Sequence, residues 1–106
     1  MKPDIKQAWL AALRSGNYQQ GQGYLREGDQ YCCLGVLCDL YGKAVGPEWD
    51  EYDSGNVCAM HRVDTTLPIQ VQKWADLMSP NPLDLAALND NGSTFEELAN
   101  IIEEGL

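Results

Sequence analysis

Five side chains in this sequence have the chemistry to hold a soft or borderline metal: Cys32, Cys33, Cys38, Cys58 and His61. Cys58-x-x-His61 has a common zinc spacing, and a tetrahedral site drawing on Cys32 or Cys33, Cys38, Cys58 and His61 is chemically reasonable. Side-chain direction argues the other way. On a helix Cys33 and Cys38 point about 140° apart, and on a strand Cys58 and His61 project from opposite faces. Free cysteine is also among the most buried residue types without any ligand role. The first reading is therefore core cysteine with no bound metal, and zinc stays as the alternative. His61 is the one histidine, and no local motif pairs it with a cysteine for nucleophilic catalysis.

A second constellation is suited to binding. Arg14, Tyr18, Gln20, Gln22, Tyr24 and Arg26 bring aromatic faces, amides and two guanidinium groups around one loop. Tyrosines stack on nucleobases, amides read base edges and arginines pair with phosphate. The competing reading packs Tyr18 and Tyr24 on the preceding helix and leaves the glutamines in water. Asn81, Asn89 and Asp90 divide the same way, as pocket-edge groups or as turn and helix-end hydrogen bonders. Gly21-x-Gly23 is too short for a phosphate-cradling loop and no helix follows it. No catalytic signature and no cofactor motif is present, which argues against an enzyme.

Charge narrows the partners. The chain of 106 residues carries 16 acidic side chains against 7 Lys and Arg, for a net charge of −9. Such a surface repels phosphate backbones and anionic membranes, so neither nucleic acid nor a bilayer is expected as a direct partner. Solubility is the plain reading of the charge; mimicry of a nucleic acid is the sharper one, and it needs acids in a continuous stripe. No apolar run approaches a membrane span, and Met1-Lys2-Pro3-Asp4 leads into an amphipathic pattern without a signal-peptide core. A cytoplasmic protein with reduced thiols is expected.

The elements that must position these groups follow from periodicity. The most continuously apolar run, Tyr31 to Tyr41, is broken by one charge, Asp39. Cys33, Val36, Leu37, Leu40 and Tyr41 share one helical face, so Cys33–Gly42 is expected as a central helix, with Gly35 allowing close approach of a neighbouring backbone. Pro3–Ser15 forms an amphipathic helix stopped by Gly16. Residues 17–24 read as a loop, and Tyr24–Arg26 and Gln30–Cys32 as a hairpin about Glu27-Gly28-Asp29. A second hairpin is expected about Ser54-Gly55-Asn56, returning through Val57 to Val63. A helix capped by Thr65 or Thr66 buries Leu67, Val71, Trp74, Ala75 and Met78 and ends before Ser79-Pro80-Asn81-Pro82. Asp84–Asp90 is a short helix, and Ser93 with Glu96 forms a capping box for a last helix to Glu104. The fold class is α+β: a single, helix-rich domain over residues 1–106, with four to five helices around a central apolar helix and one or two short β-hairpins.

The run Tyr31-Cys32-Cys33-Leu34-Gly35-Val36-Leu37-Cys38-Asp39-Leu40 does not stand alone. With it come Trp9, Leu13-Arg14-Ser15-Gly16, Tyr18, Gln20-Gly21, Leu67-Pro68, Val71, Trp74-Ala75, Asn81-Pro82, Leu88-Asn89-Asp90, Gly92-Ser93 and Phe95. In this order they resemble a family of small proteins encoded in bacteriophage and prophage genomes. Glu48–Asp64 falls outside that pattern and reads as this chain's own insertion. The resemblance implies a phage-encoded accessory protein acting on host processes, counter-defence among them, in the host bacterial cytoplasm. Three function classes follow: a binding protein that contacts a host protein or sequesters a small nucleotide signal, an acidic decoy for a DNA- or RNA-binding host enzyme, and a metal- or thiol-dependent enzyme. Self-association into a homo-oligomer stays open.

Overall fold

Cys33–Val45 forms the central helix, α2, and it buries Cys33, Leu34, Gly35, Val36, Leu37, Cys38 and Tyr41. In this computed structural model residues 1–51 and 56–106 are described. The helix runs about one turn beyond the expected Gly42, because the first residue able to stop it is Gly46. That glycine adopts φ 117° and bonds its N–H to the Gly42 carbonyl, which is the left-handed cap glycine favours.

α1 (Pro3–Arg14) buries Ile5, Trp9, Leu10 and Leu13, and the Trp9 indole donates to the Cys33 carbonyl at 2.9 Å. That bond satisfies the buried indole and ties α1 to the start of α2. α5 (Phe95–Gly105) lies against α1 and presents Phe95, Leu98, Ala99 and Ile102 to the core. Its cap is Thr94 with Glu97, bonded reciprocally, rather than the expected Ser93 with Glu96. Ser93 is held outside the helix by its N–H bond to the Leu88 carbonyl.

The strands are short and form one mixed sheet in the order β1-β3-β2-β5-β4. The first hairpin is present as β2 (Arg26–Glu27), later than the expected Tyr24–Arg26, and β3 (Gln30–Tyr31), which starts at the expected Gln30 and ends one residue short of Cys32. β1 (Gln19–Gln20) was expected as loop; it pairs in parallel with β3, a tertiary contact without local signal. β4 (Asp50–Glu51) and β5 (Val57–Ala59) make the second hairpin, and β5 also pairs with β2. Ser54 and Gly55 of its expected turn lie outside the described residues. The alternation expected to Val63 stops at Ala59. Met60 and Val63 then bond to each other across His61 and Arg62, at φ 51° and 67°. This is a two-residue reverse turn with both residues left-handed, a geometry that usually selects Asn-Gly.

α3 (Ile69–Ala75) is shorter than expected, since Asp76 turns left-handed at φ 58° ahead of the prolines. Met78 consequently leaves the helix and is 99% exposed instead of buried. A single 3-10 turn, Pro82–Asp84, leads into α4 (Leu85–Asp90). The result is an α+β domain with five α-helices among the described residues and a small sheet on one side of α2. No helix among them is long and apolar enough to cross a membrane.

Sheet and helix meet at Gly35, where a Cβ would fall inside the backbone carbonyl of Leu25. Alanine there gains about 1 kcal/mol of helix propensity but forces two backbones apart, which costs about 3 kcal/mol or more. Gly35→Ala should therefore lower the urea midpoint clearly; an unchanged midpoint would contradict the packing of Leu25 on α2.

Candidate functional site

Residues 16–25 are fastened to the rest of the chain through a buried asparagine. Asn89, at the end of α4, has 0% exposure. Its Oδ1 accepts from the Cys33 N–H at 3.2 Å and from Gln20 Nε2 at 2.9 Å, and its Nδ2 donates to the Gly21 carbonyl at 2.8 Å. Gln20 Nε2 also donates to the Ser93 carbonyl at 2.7 Å, Gln22 Nε2 to the Asn89 carbonyl at 3.3 Å, and the Gly23 N–H to Asp90 Oδ1 at 2.9 Å. Close approach to β3 is possible because residue 21 is glycine: a Cβ there would lie 2.8 Å from the Gln30 Cβ. Beside this loop is an open cleft of about 410 Å³ lined by Gln20, Gly21, Gln22, Gln30, Gly92 and Ser93.

A second group is organised by Asp39, whose side chain is largely buried. Tyr18 donates its hydroxyl to Oδ2 at 2.5 Å, Trp49 donates its indole N–H to Oδ1 at 3.1 Å, and Lys43 Nζ lies 3.1 Å from Oδ2. Lys43 also reaches the Tyr18 oxygen at 3.3 Å. Burial alone would raise the Asp39 pKa, but the bonds from Tyr18, Trp49 and Lys43 and the lysine's charge outweigh it and hold the carboxyl below its ordinary value. The Tyr18 hydroxyl moves the other way, raised by burial and then by its bond to Asp39. Around this carboxylate the Tyr18 and Tyr31 rings meet edge to face at 5.0 Å, and Tyr31 and Trp49 at 6.2 Å. The Arg26 guanidinium sits 5.2 Å from the Tyr31 ring centre and 5.8 Å from that of Trp49. The four side chains make a half-exposed ledge.

The expected binding residues thus divide between places. Gln20, Gln22, Asn89 and Asp90 come together at the loop, while Tyr18 and Arg26 belong to the ledge. Arg14 joins neither. Its guanidinium does not point into the loop, because α5 offers Asn100 Oδ1 at 2.8 Å, Glu103 Oε2 at 3.2 Å and Glu96 Oε1 at 3.7 Å. Tyr24 is 39% exposed. Asp39, Lys43, Tyr31 and Trp49 escaped the sequence reading as site residues, although a lone carboxylate in an otherwise apolar helix was a usable signal.

The cysteines are free and buried. Burial raises the Cys32 thiol to about 11 and pushes Cys33 and Cys38 up as well. All three are held as thiols, the reverse of what an activated nucleophile requires. His61 Nε2 is 2.9 Å from the Tyr41 hydroxyl, with the two rings edge to face. Among the described residues no group of three or more His, Cys, Asp or Glu side chains is placed to hold a metal.

Residues 1–106 match the family DUF8296, described as a domain of unknown function. No curated protein and no solved structure matches the chain.

The lowered Asp39 pKa has a stability consequence. A carboxyl depressed in the folded state contributes stability that is complete above its unfolded value, about 4, and is lost as pH falls through the folded value. Asp39→Asn should cost about 1–3 kcal/mol at neutral pH and give a shallower loss of stability below about pH 4. Urea midpoints measured across that range decide it, and parallel acid limbs in the two proteins would remove Asp39 from the account.

Proposed function

Because the chain belongs to the DUF8296 family, whose description assigns no activity, we propose a role from the site itself: an accessory binding protein whose Asp39-centred ledge docks a host protein. The observation that carries this reading is the composition of the ledge and the contacts among its side chains. Tyr18, Tyr31, Trp49 and Arg26 are partly buried side chains in ring and cation–π contact with one another, and Tyr18 and Trp49 are hydrogen-bonded to Asp39. Tyrosine, tryptophan and arginine supply most of the binding energy at protein interfaces. A surface already ordered before contact loses less conformational entropy on docking.

The phage setting, and counter-defence within it, is supported by the sequence resemblance running through most of the chain. Sequestering of a nucleotide has less support, because Arg14, the cation assigned to phosphate, is engaged by α5. The acidic-decoy reading is weakened at the same place, where Arg14 bridges Glu96 and Glu103 and interrupts the acids of that face. A thiol-dependent reaction has no support from cysteines held protonated in the core.

Immobilised wild-type protein and a Trp49→Ala/Arg26→Ala variant, exposed to bacterial host lysate, test the reading. One host protein should be retained by the wild type and bind the variant at least about 30-fold more weakly in calorimetry, as loss of a 2 kcal/mol anchor implies. Circular dichroism should be unchanged, since Asp39 keeps Tyr18 and Lys43. Equal retention by the two proteins would sink the proposal, and a nucleotide that raises the wild-type melting temperature would revive the rival.

A further inference from the structure

We propose that the cleft between the Gln20–Gln22 loop, Gln30 and the Gly92–Ser93 turn is a second binding site, separate from the ledge, for an uncharged, hydroxyl-rich ligand of the sugar class. Its lining is Gln20, Gly21, Gln22, Gln30, Gly92 and Ser93. Every wall is therefore a side-chain amide, a hydroxyl or bare glycine backbone. Ligand pockets are ordinarily lined by apolar and aromatic groups with a few polar ones placed among them. Here that proportion is inverted, and the inversion selects the ligand.

Three classes fit poorly. A phosphate or carboxylate would meet no cation in the lining, on a protein of net charge −9. An ammonium group would find only amide and hydroxyl dipoles, with no carboxylate in the walls. A flat aromatic ligand would have no ring to stack on and little apolar surface to cover.

A sugar hydroxyl both donates and accepts, which is what these walls require. An amide nitrogen carries two hydrogens, and both on Gln20 Nε2 are engaged, by Asn89 Oδ1 and the Ser93 carbonyl. Its remaining offer is the Oε1 acceptor. Gln22 has one hydrogen tied to the Asn89 carbonyl and retains an acceptor and a donor. Gln30 and Ser93 add an amide and a hydroxyl. The walls thus offer acceptors on Gln20, Gln22, Gln30 and Ser93 and donors on Gln22, Gln30 and Ser93, and vicinal hydroxyls can answer both. Gln20 and Gln22 are held before a ligand arrives by their bonds to Asn89 and the Ser93 carbonyl. At about 410 Å³ the cleft lies within the range of small-molecule sites.

Affinity in so open and polar a cleft should be modest, on the order of millimolar, because each bond to the ligand replaces one to water. Nitrogen-15 NMR titration of the full chain with glucose, galactose, N-acetylglucosamine and maltose tests this, with AMP and spermidine as charged comparators. At least one sugar should shift the Gln22 and Gln30 side-chain amides and the Gly92 and Ser93 backbone amides saturably. Gln22→Ala/Gln30→Ala, at two exposed positions, should weaken that response about tenfold, whereas Trp49→Ala should leave it intact. The proposal fails if none of the four sugars gives a saturable shift by about 100 mM, if the double variant responds like wild type, or if AMP or spermidine binds more tightly than any sugar.

Discussion

The Leu25 carbonyl resting on Gly35 is the contact on which the architecture depends. It admits no side chain between strand and helix, so it fixes how close the sheet lies to α2. The same carbonyl accepts the Cys32 N–H at 3.1 Å, which sets the entry of the chain into α2. Cys32 in turn caps that helix, its sulfur accepting the Gly35 N–H at 3.4 Å. Leu25 itself is fully buried. A few residues thereby join hairpin, helix start and core in one arrangement, and both the ledge and the cleft take their places from it.

Two polar side chains then do what apolar packing cannot. Packing is nearly indifferent to small rotations, whereas a buried hydrogen-bonding group must find partners or forfeit its solvation. Asn89 ties the loop after α1 to the start of α2, and Asp39 ties the same region, through Tyr18, to Trp49 in the segment before β4. Among the described residues no buried side-chain nitrogen or oxygen lacks a partner. The ordering of both surfaces is therefore a by-product of polar satisfaction inside the domain.

Much of this was legible from local pattern. The apolar faces of α1, α2 and α5 follow from helical spacing, and the hairpin about Gly28 from its turn residues, because those signals act within a few positions. What escaped was set at long range. Gln19 and Gln20 form a strand only because β3 lies alongside, and Arg14 turns from the loop because α5 brings acids to it from more than 80 residues away. Met78 fits the apolar stripe of a helix that Asp76 ends too soon. Asp39 was visible as an anomaly, but its partners Tyr18 and Trp49 lie 21 and 10 residues away and no periodicity connects them.

The seam between α1 and α5 bears on the order in which the chain assembles. Closing the ten-residue span from Leu25 to Gly35 costs roughly 2 kcal/mol of chain entropy, whereas joining Lys6 to the Glu103 carbonyl, 97 positions apart, costs roughly 4. Contacts of short span form readily and those of long span late. The hairpin and α2 can thus organise as a nucleus while both terminal helices are still searching. α5 is added near the end, held on its outer side by exposed bonds from Lys6 and Arg14. Once closed, the seam is held less by those exposed bonds than by the burial of Phe95, Leu98, Ala99 and Ile102 between the first helix and the last.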